Sequence, residues 1–265
     1  MTPLHAVGLF MLCWLMPGPR GALAAEPATE PLRVSVNEAN GRPFVLYDAR
    51  SRFRGGLARD IMDHLANQLG RRPVYLNLPR ARVESWLRSG KIDAACFLAP
   101  EWVRDASKLS WSPVLFHIRQ VIVSPPKAPA VTRPQDLFGK RVGTLLNYTY
   151  PVLAPYFDDG RILRADAPSF ASNMAKLERG RIDALLYDDL ASLFAVKDGS
   201  LPAAVRIDPL WVPDNPVYCA FSPAFVARAP ESCPILQAAV DGGQVERWIS
   251  AYTGGRRVAS RTTDH

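Results

Sequence analysis

The side chains best suited to hold a small molecule fall into three groups: arginines beside strand ends, hydroxyls ahead of a proline, and two adjacent aspartates. Arg80 and Arg82 sit between the end of a predicted strand and the next helix, and Arg104 follows a later strand by a few residues. A guanidinium offers a planar fork of donors, binds a carboxylate through two parallel hydrogen bonds and keeps its charge when buried. The same arginines on a solvated face would do none of this. Tyr148 and Thr149 follow the strand containing Val142-Gly143 and precede Pro151, a residue suited to a first helical turn. Free N–H groups and a hydroxyl at such a point attract an anion; Thr149 acting only as a helix cap is the competing role. Asp188 and Asp189 are adjacent carboxylates ahead of a predicted helix, and one of them can cap it. Phe44 and Phe97 would be apolar walls of a site or ordinary core. No nucleophile–base arrangement, CxxC motif or His/Cys cluster is present, so neither covalent catalysis nor a metal is indicated and no cofactor is expected.

These residues need a scaffold, and the chain is long enough to build one. Its 265 residues stand where one or two domains are both reasonable, and 48% hydrophobic with 22% charged residues is ordinary for a globular protein. The 24 prolines favour many short elements joined by stiff loops. No stretch reaches the ~20 apolar residues of a membrane span. Ala6 to Met16 is a shorter apolar run, followed by Pro17-Gly18-Pro19 and then Ala22-Leu23-Ala24, the pattern of a cleavable export signal over residues 1–24. No Lys or Arg precedes the run. Cleavage would remove Arg20 alone and lower the formal charge from +7 to +6. That excess is scattered, without a basic run, which argues against nucleic acid. Cys96, Cys219 and Cys233 remain, an odd number; Cys219 and Cys233 are one pairing, three buried thiols the alternative.

Strands and helices alternate. Leu32–Asn37, Val74–Leu78 and Ile92–Leu98 read as strands, with a helix over 56–69 and a short one carrying Val83, Trp86 and Leu87. The second half repeats the scheme with strands at 141–145, 162–163, 182–187 and 217–221, and helices at 169–178 and 189–196. Such alternation implies a parallel α/β sheet in each half. A proline-rich segment, 124–134, reads as the connector between halves, and 254–265 as a solvated tail. The strongest internal signal is a repeat. Leu87-Arg-Ser-Gly-Lys-Ile-Asp-Ala94 and Leu177-Glu-Arg-Gly-Arg-Ile-Asp-Ala184 share five identities and one Lys/Arg exchange. Each copy joins a helix to a buried strand through a glycine, so two copies predict two lobes of similar build.

In order and spacing, the motifs resemble the family 3 extracellular solute-binding proteins, the ligand-capturing components of bacterial amino-acid-type importers. The resemblance runs from about Leu32 to Tyr252. It is carried by Arg42-Pro43-Phe44, Gly55-Gly56-Leu57-Ala-Arg-Asp60-Ile61, both Gly-x-Ile-Asp-Ala joints, Trp111-Ser-Pro113 and Asp136-Leu-Phe-Gly-Lys-Arg-Val-Gly143. It implies a two-lobed, type II periplasmic-binding-protein-like fold with two crossing hinge strands. Lobe 1 would span 25–117 with 222–253 and lobe 2 118–221, the closing helices packing back on lobe 1. A carboxylated solute, an amino acid or a related compound, would lie in the cleft, held by Arg104 on its carboxylate and Asp188 on its amino group. The fewer hydroxyls after Asp93 and the extra arginines also admit a more acidic or larger carboxylated solute. The partner would be the membrane permease of an ABC importer, the protein a periplasmic monomer. The same fold hosts prephenate-type dehydratases, for which Glu38 or Glu101 would be the acid or base, and a ligand sensor acting in trans is a further alternative.

Overall fold

The computed structural model describes residues 30–146 and 148–258; the expected export signal lies outside them. In the first half the chain forms β1 (Leu32–Val36), β2 (Leu46–Tyr47), β3 (Phe53–Gly55), α1 (Leu57–Gln68), β4 (Pro73–Asn77), α2 (Arg80–Arg88), β5 (Ala94–Leu98), β6 (Ser110–Trp111) and β7 (Phe116–Ile118). The second half holds β8 (Gln120–Ser124), β9 (Arg141–Leu145), α3 (Ala154–Asp158), β10 (Leu163–Ala167), α4 (Phe170–Glu178), β11 (Ala184–Asp188), α5 (Asp189–Lys197) and β12 (Arg206–Pro209). The chain then returns through β13 (Asn215–Phe221) to α6 (Pro223–Arg228), α7 (Ser232–Asp241) and α8 (Gln244–Thr253).

Two sheets share one plan. The first is ordered β4-β1-β5-β13-β6, the second β10-β9-β11-β8-β12. In each, three parallel strands are followed by an antiparallel one, β13 in the first sheet and β8 in the second, entered where the chain crosses between the sheets. The crossings fall at Arg119 and Asp214, and the two residues are paired: Arg119 Nε donates to Asp214 Oδ1 at 2.7 Å. Two boundaries differ from the sequence reading. Residues 215–221, expected in lobe 2, form the interior strand β13 of the first sheet, between β5 and β6. The proline-rich segment does not join the lobes; it links β8 to β9 within the second sheet.

The repeated joint is built identically in both lobes. Gly90 and Gly180 take positive φ (69° and 63°), the conformation a glycine provides at a helix C-terminus. Lys91 N then donates to Trp86 O and Arg181 N to Lys176 O. Ile92 and Ile182 are buried next to them. The aspartate that follows reaches back to the first parallel strand of its own lobe. Arg33 N donates to Asp93 Oδ2 at 2.8 Å and Arg141 N to Asp183 Oδ2 at 2.7 Å.

The closing helices bury Leu236, Ala239, Val245 and Ile249 in the first lobe's core beside α1. The tail is less free than expected: Val258 packs on the second lobe's core and its carbonyl accepts from Arg119 Nη1. An apolar side chain and a donor-rich guanidinium hold it there. The cysteines also pair otherwise than Cys219 with Cys233. Cys96 and Cys219 lie opposite each other on β5 and β13 and form a disulfide, and Cys233 is free. Strand register brings together residues 123 positions apart, which sequence spacing cannot reveal.

Candidate functional site

Between the lobes lies a cavity of about 640 Å³. The second lobe supplies most of its wall, from the end of β9 and the loop after it (Leu145, Tyr148, Thr149, Tyr150, Pro151) and from the end of β11 (Leu186, Tyr187, Asp188). Ile118, Gln120 and Asn215 come from the crossing strands, and Trp102 from the turn after β5 in the first lobe. Parallel strands thus deliver their carboxyl ends to the cavity, the usual place for a ligand in such sheets.

Asp188 has two tasks. It is the N-cap of α5, with Oδ1 accepting from Ala191 N at 2.7 Å, and it also lines the cavity. The dense surroundings penalise its charge and push its pKa up to about 7, although the Ala191 N–H opposes this. Asp189 does not share the site. Its Oδ1 accepts from the backbone N–H of Arg119 (3.1 Å) and of Leu190 (2.9 Å), so it ties α5 to the first crossing.

The 148–151 loop is pinned from three sides. Tyr150 Oη accepts from Leu145 N at 2.9 Å, Leu146 N donates to Ala167 O at 2.9 Å, and Arg164 Nη2 donates to Tyr148 O at 2.9 Å. Arg164 is itself held by Asp166, which also accepts from Thr144 Oγ1. Thr149 does not cap a helix. Residues 151–153 form a turn, and α3 begins only at Ala154, with Pro155 in its first turn, and is five residues long. The helix-terminus anion site expected there is absent from the described residues; a hydroxyl and an aromatic ring on a fixed loop remain.

The structure brings Tyr148, Thr149 and Asp188 together and leaves the other expected residues elsewhere. Arg104 is exposed and lines an adjoining groove of about 800 Å³ with Arg80, Glu84, Arg88, Asp105 and Trp102, the last shared with the cavity. Arg80 is paired with Glu84 at 3.0 Å, and Arg82 is exposed outside both depressions. The three-residue helix Pro100–Trp102 precedes Arg104, and of this segment Trp102 is the residue that reaches the cavity. Phe44 is buried, with its ring centroid 5.0 Å from that of Phe97, and both belong to first-lobe packing. Glu38 and Glu101 stand on short turns outside the cavity. Among the described residues no group of His, Cys, Asp or Glu could hold a metal, and no helix is long and apolar enough to cross a membrane.

Sequence reasoning missed Trp102, Tyr150, Gln120, Asn215 and the loop-holding Arg164. Trp102 carried a readable signal, a large aromatic two residues before an arginine already singled out. Gln120 and Asn215 carried none, because they meet only through the crossing of distant segments.

Two mixed sheets of one plan, paired crossings and closing helices returned to the first lobe define the two-lobed, type II periplasmic-binding-protein-like fold. Solved structures of that fold superpose on nearly the whole described chain. An ancestral arginine-binding protein bound to arginine is 22% identical, covers 85% of this chain and 99% of its own, and has a TM-score of 0.65. The GluR0 ligand-binding core in complex with L-glutamate is 14% identical over 86% of this chain and 100% of its own, with a TM-score of 0.68. Substrate-binding domain 2 of Lactococcus lactis GlnP in its open conformation is 15% identical over 88% of this chain and 99% of its own, at 0.64. No protein-family model and no curated protein sequence matches the chain.

Proposed function

We propose that this protein is an exported, non-enzymatic solute-binding protein. It captures a small solute of the amino-acid kind between its lobes and hands it to the membrane permease of an ABC-type importer. The observation that carries this reading is the cavity at the hinge. Its lining includes a carboxylate, Asp188, and a hydroxyl, Thr149, from different elements of one wall, and the reading is supported by their chemistry, one suited to an amino group and the other to a carboxylate. The fold shared with an arginine-bound protein and a glutamate-bound core supports it. Lobe 1 then comprises residues 30–118 with 215–253 and lobe 2 residues 120–214, and ligand binding closes them about the two crossings. Residues 1–24 direct export to the periplasm, where the protein acts as a monomer.

A thermal-shift screen against amino acids, polyamines, dicarboxylates and aromatic acids tests the reading. A ligand at 100 times its Kd adds about 2.7 kcal/mol, a rise of roughly 5 to 10 °C for a chain of this size. The absence of any shift across the panel overturns it. N-terminal sequencing of protein recovered from the periplasm should begin at Ala25.

A further inference from the structure

We infer that the solute held in this cavity is an organic cation, an amine or ammonium with a flat or apolar body. Its nitrogen rests on Asp188, and Trp102 and Tyr148 cover its body. The inference rests on the reading that this cavity is the solute site, and goes beyond it by naming the charge and shape the site selects.

Charge is the first argument. Among the described residues lining the cavity there is no Arg, Lys or His, and tyrosine hydroxyls aside, Asp188 is the ionisable group. The nearby cation Arg164 is engaged by Asp166 and by Tyr148 O. A dicarboxylate, or any anion without an amine, would bring a second negative charge into this wall with no counter-charge to meet it. An ammonium supplies that counter-charge. Ala191 N donates to Oδ1 of Asp188, and a ligand N–H would be a further donor to the same carboxylate.

Shape is the second. Trp102 (46% exposed) and Tyr148 (51% exposed) are two of the four large hydrophobic side chains that stand out into solvent among the described residues. They come from different lobes and border the same cavity. Exposed aromatic faces attract cations, tryptophan most strongly, and lobe closure over a ligand would bury both. The two deeper tyrosines are committed elsewhere. Tyr150 Oη accepts from Leu145 N, and the Tyr187 ring is stacked on Phe170 with centroids 4.0 Å apart. The arginines that would favour an anion line the adjoining groove, which shares Trp102 with the cavity, and there Arg80 is engaged by Glu84 and by the Trp102 carbonyl.

The test uses two sets of compounds of matched body: tyramine, tyrosine and 4-hydroxyphenylacetate, and cadaverine, lysine and glutarate. Calorimetric titration of the full exported chain should give tyramine an affinity at least tenfold above that of 4-hydroxyphenylacetate, with glutarate silent. Trp102→Ala and Tyr148→Ala, both at exposed positions, should each weaken tyramine about tenfold with the melting temperature unchanged. Asp188→Asn, which can still cap α5, should weaken the amines and leave the acids as they were. An acid that binds as tightly as its matched amine overturns the inference, as do aromatic variants with unchanged amine affinity. If only carboxylated compounds bind, the cavity remains a solute site and the cation is wrong. If nothing in these sets or the wider screen binds, both readings fall.

Discussion

The two copies of the Gly-[Lys/Arg]-Ile-Asp-Ala joint make the same backbone and sit in different electrostatic surroundings. Asp93 is 1% exposed and takes three hydrogen bonds from Arg33: its backbone N, Nε (2.9 Å) and Nη2 (2.7 Å). Arg228 stands 3.5 Å away. Asp183 is 41% exposed, takes the matching backbone bond from Arg141 N, and meets the Arg141 guanidinium only at 3.7 Å. One motif is therefore a desolvated ionic lock in the first lobe and a solvated strand clip in the second. A short sequence pattern specifies hydrogen-bond geometry; burial by the rest of the chain decides what that geometry contributes.

The largest expected effect follows directly. Asp93→Ala removes the three hydrogen bonds from Arg33, but the Arg33 and Arg228 guanidiniums, 34% and 44% exposed, keep access to water and Arg228 keeps Glu30 at 3.3 Å, so the loss should be about 1.5–3 kcal/mol. Asp183→Ala should cost about 1 kcal/mol or less. Urea unfolding of both variants measures the contrast, and equal losses would mean that the backbone bond, common to both, carries the whole contribution.

The fold was legible in the sequence to the extent that it is local. Helix-ending glycines, alternating strands and the doubled joint place α2 and give α1, α4, α5 and the parallel strands to within a residue or two, except β10, read as 162–163 and found over Leu163–Ala167. What stayed hidden is what distant segments make together: β13 returned into the first sheet, the Cys96–Cys219 bond across β5 and β13, and Gln120 and Asn215 on one cavity. The site divides in the same way. Asp188, Tyr148 and Thr149 follow strand ends within their own lobe, so their placement is local. Arg104 lies beyond a turn whose twist decides that Trp102, and not the arginine, faces the cavity.

Asp188 offers the next test, because among the described residues only the second lobe puts a carboxylate in the cavity. Its pKa is about 7 in the folded chain against 3.8 for the free side chain. Between those values the folded state holds a proton that the unfolded chain has lost. Stability from this residue is therefore highest at acid pH and falls as pH rises from about 4 to 7, by at most about 4 kcal/mol. Burial raises Asp189 and Asp60 in the same direction, so the residue's share is the slope that Asp188→Asn removes. Ligand binding has the opposite dependence. A cationic amine needs the ionised carboxylate, so its affinity should drop about tenfold per pH unit below 7. The neighbours facing Asp188 are Asp189, turned to the Arg119 backbone, and the tyrosines 148, 150 and 187. Amine affinity that is flat from pH 5.5 to 7.5 would place the nitrogen elsewhere.

A smaller contrast lies one strand position along. Ser35 on β1 and Gly143 on β9 occupy equivalent places, two residues after Arg33 and Arg141. At Gly143 a Cβ would stand 2.5 Å from Ile182 Cδ1 and 2.9 Å from Asn173 Oδ1, whose amide donates to Thr144 O at 2.8 Å. Asn173 thus fills the space that the first lobe gives to a serine. Gly143→Ser should cost about 1–3 kcal/mol through overpacking, and Ser35→Gly about 0.5–1 kcal/mol through lost strand preference. Equal costs would show that the second lobe relaxes around a new side chain as easily as the first accommodates its own.

The smallest expected effect bears on how the lobes divide the ligand. Arg104 has the chemistry to clamp a carboxylate, yet it is exposed beside Arg88 and Asp105, and the first lobe's approach to the cavity is made by Trp102. If the second lobe supplies the charge and the first only an aromatic cover, Arg104→Ala should change amine affinity less than twofold, whereas Trp102→Ala weakens it about tenfold. Isothermal titration of the two variants side by side separates these roles. A tenfold loss in Arg104→Ala would mean that closure swings the guanidinium over the cavity, giving the first lobe a charge of its own and the solute a carboxylate to meet it.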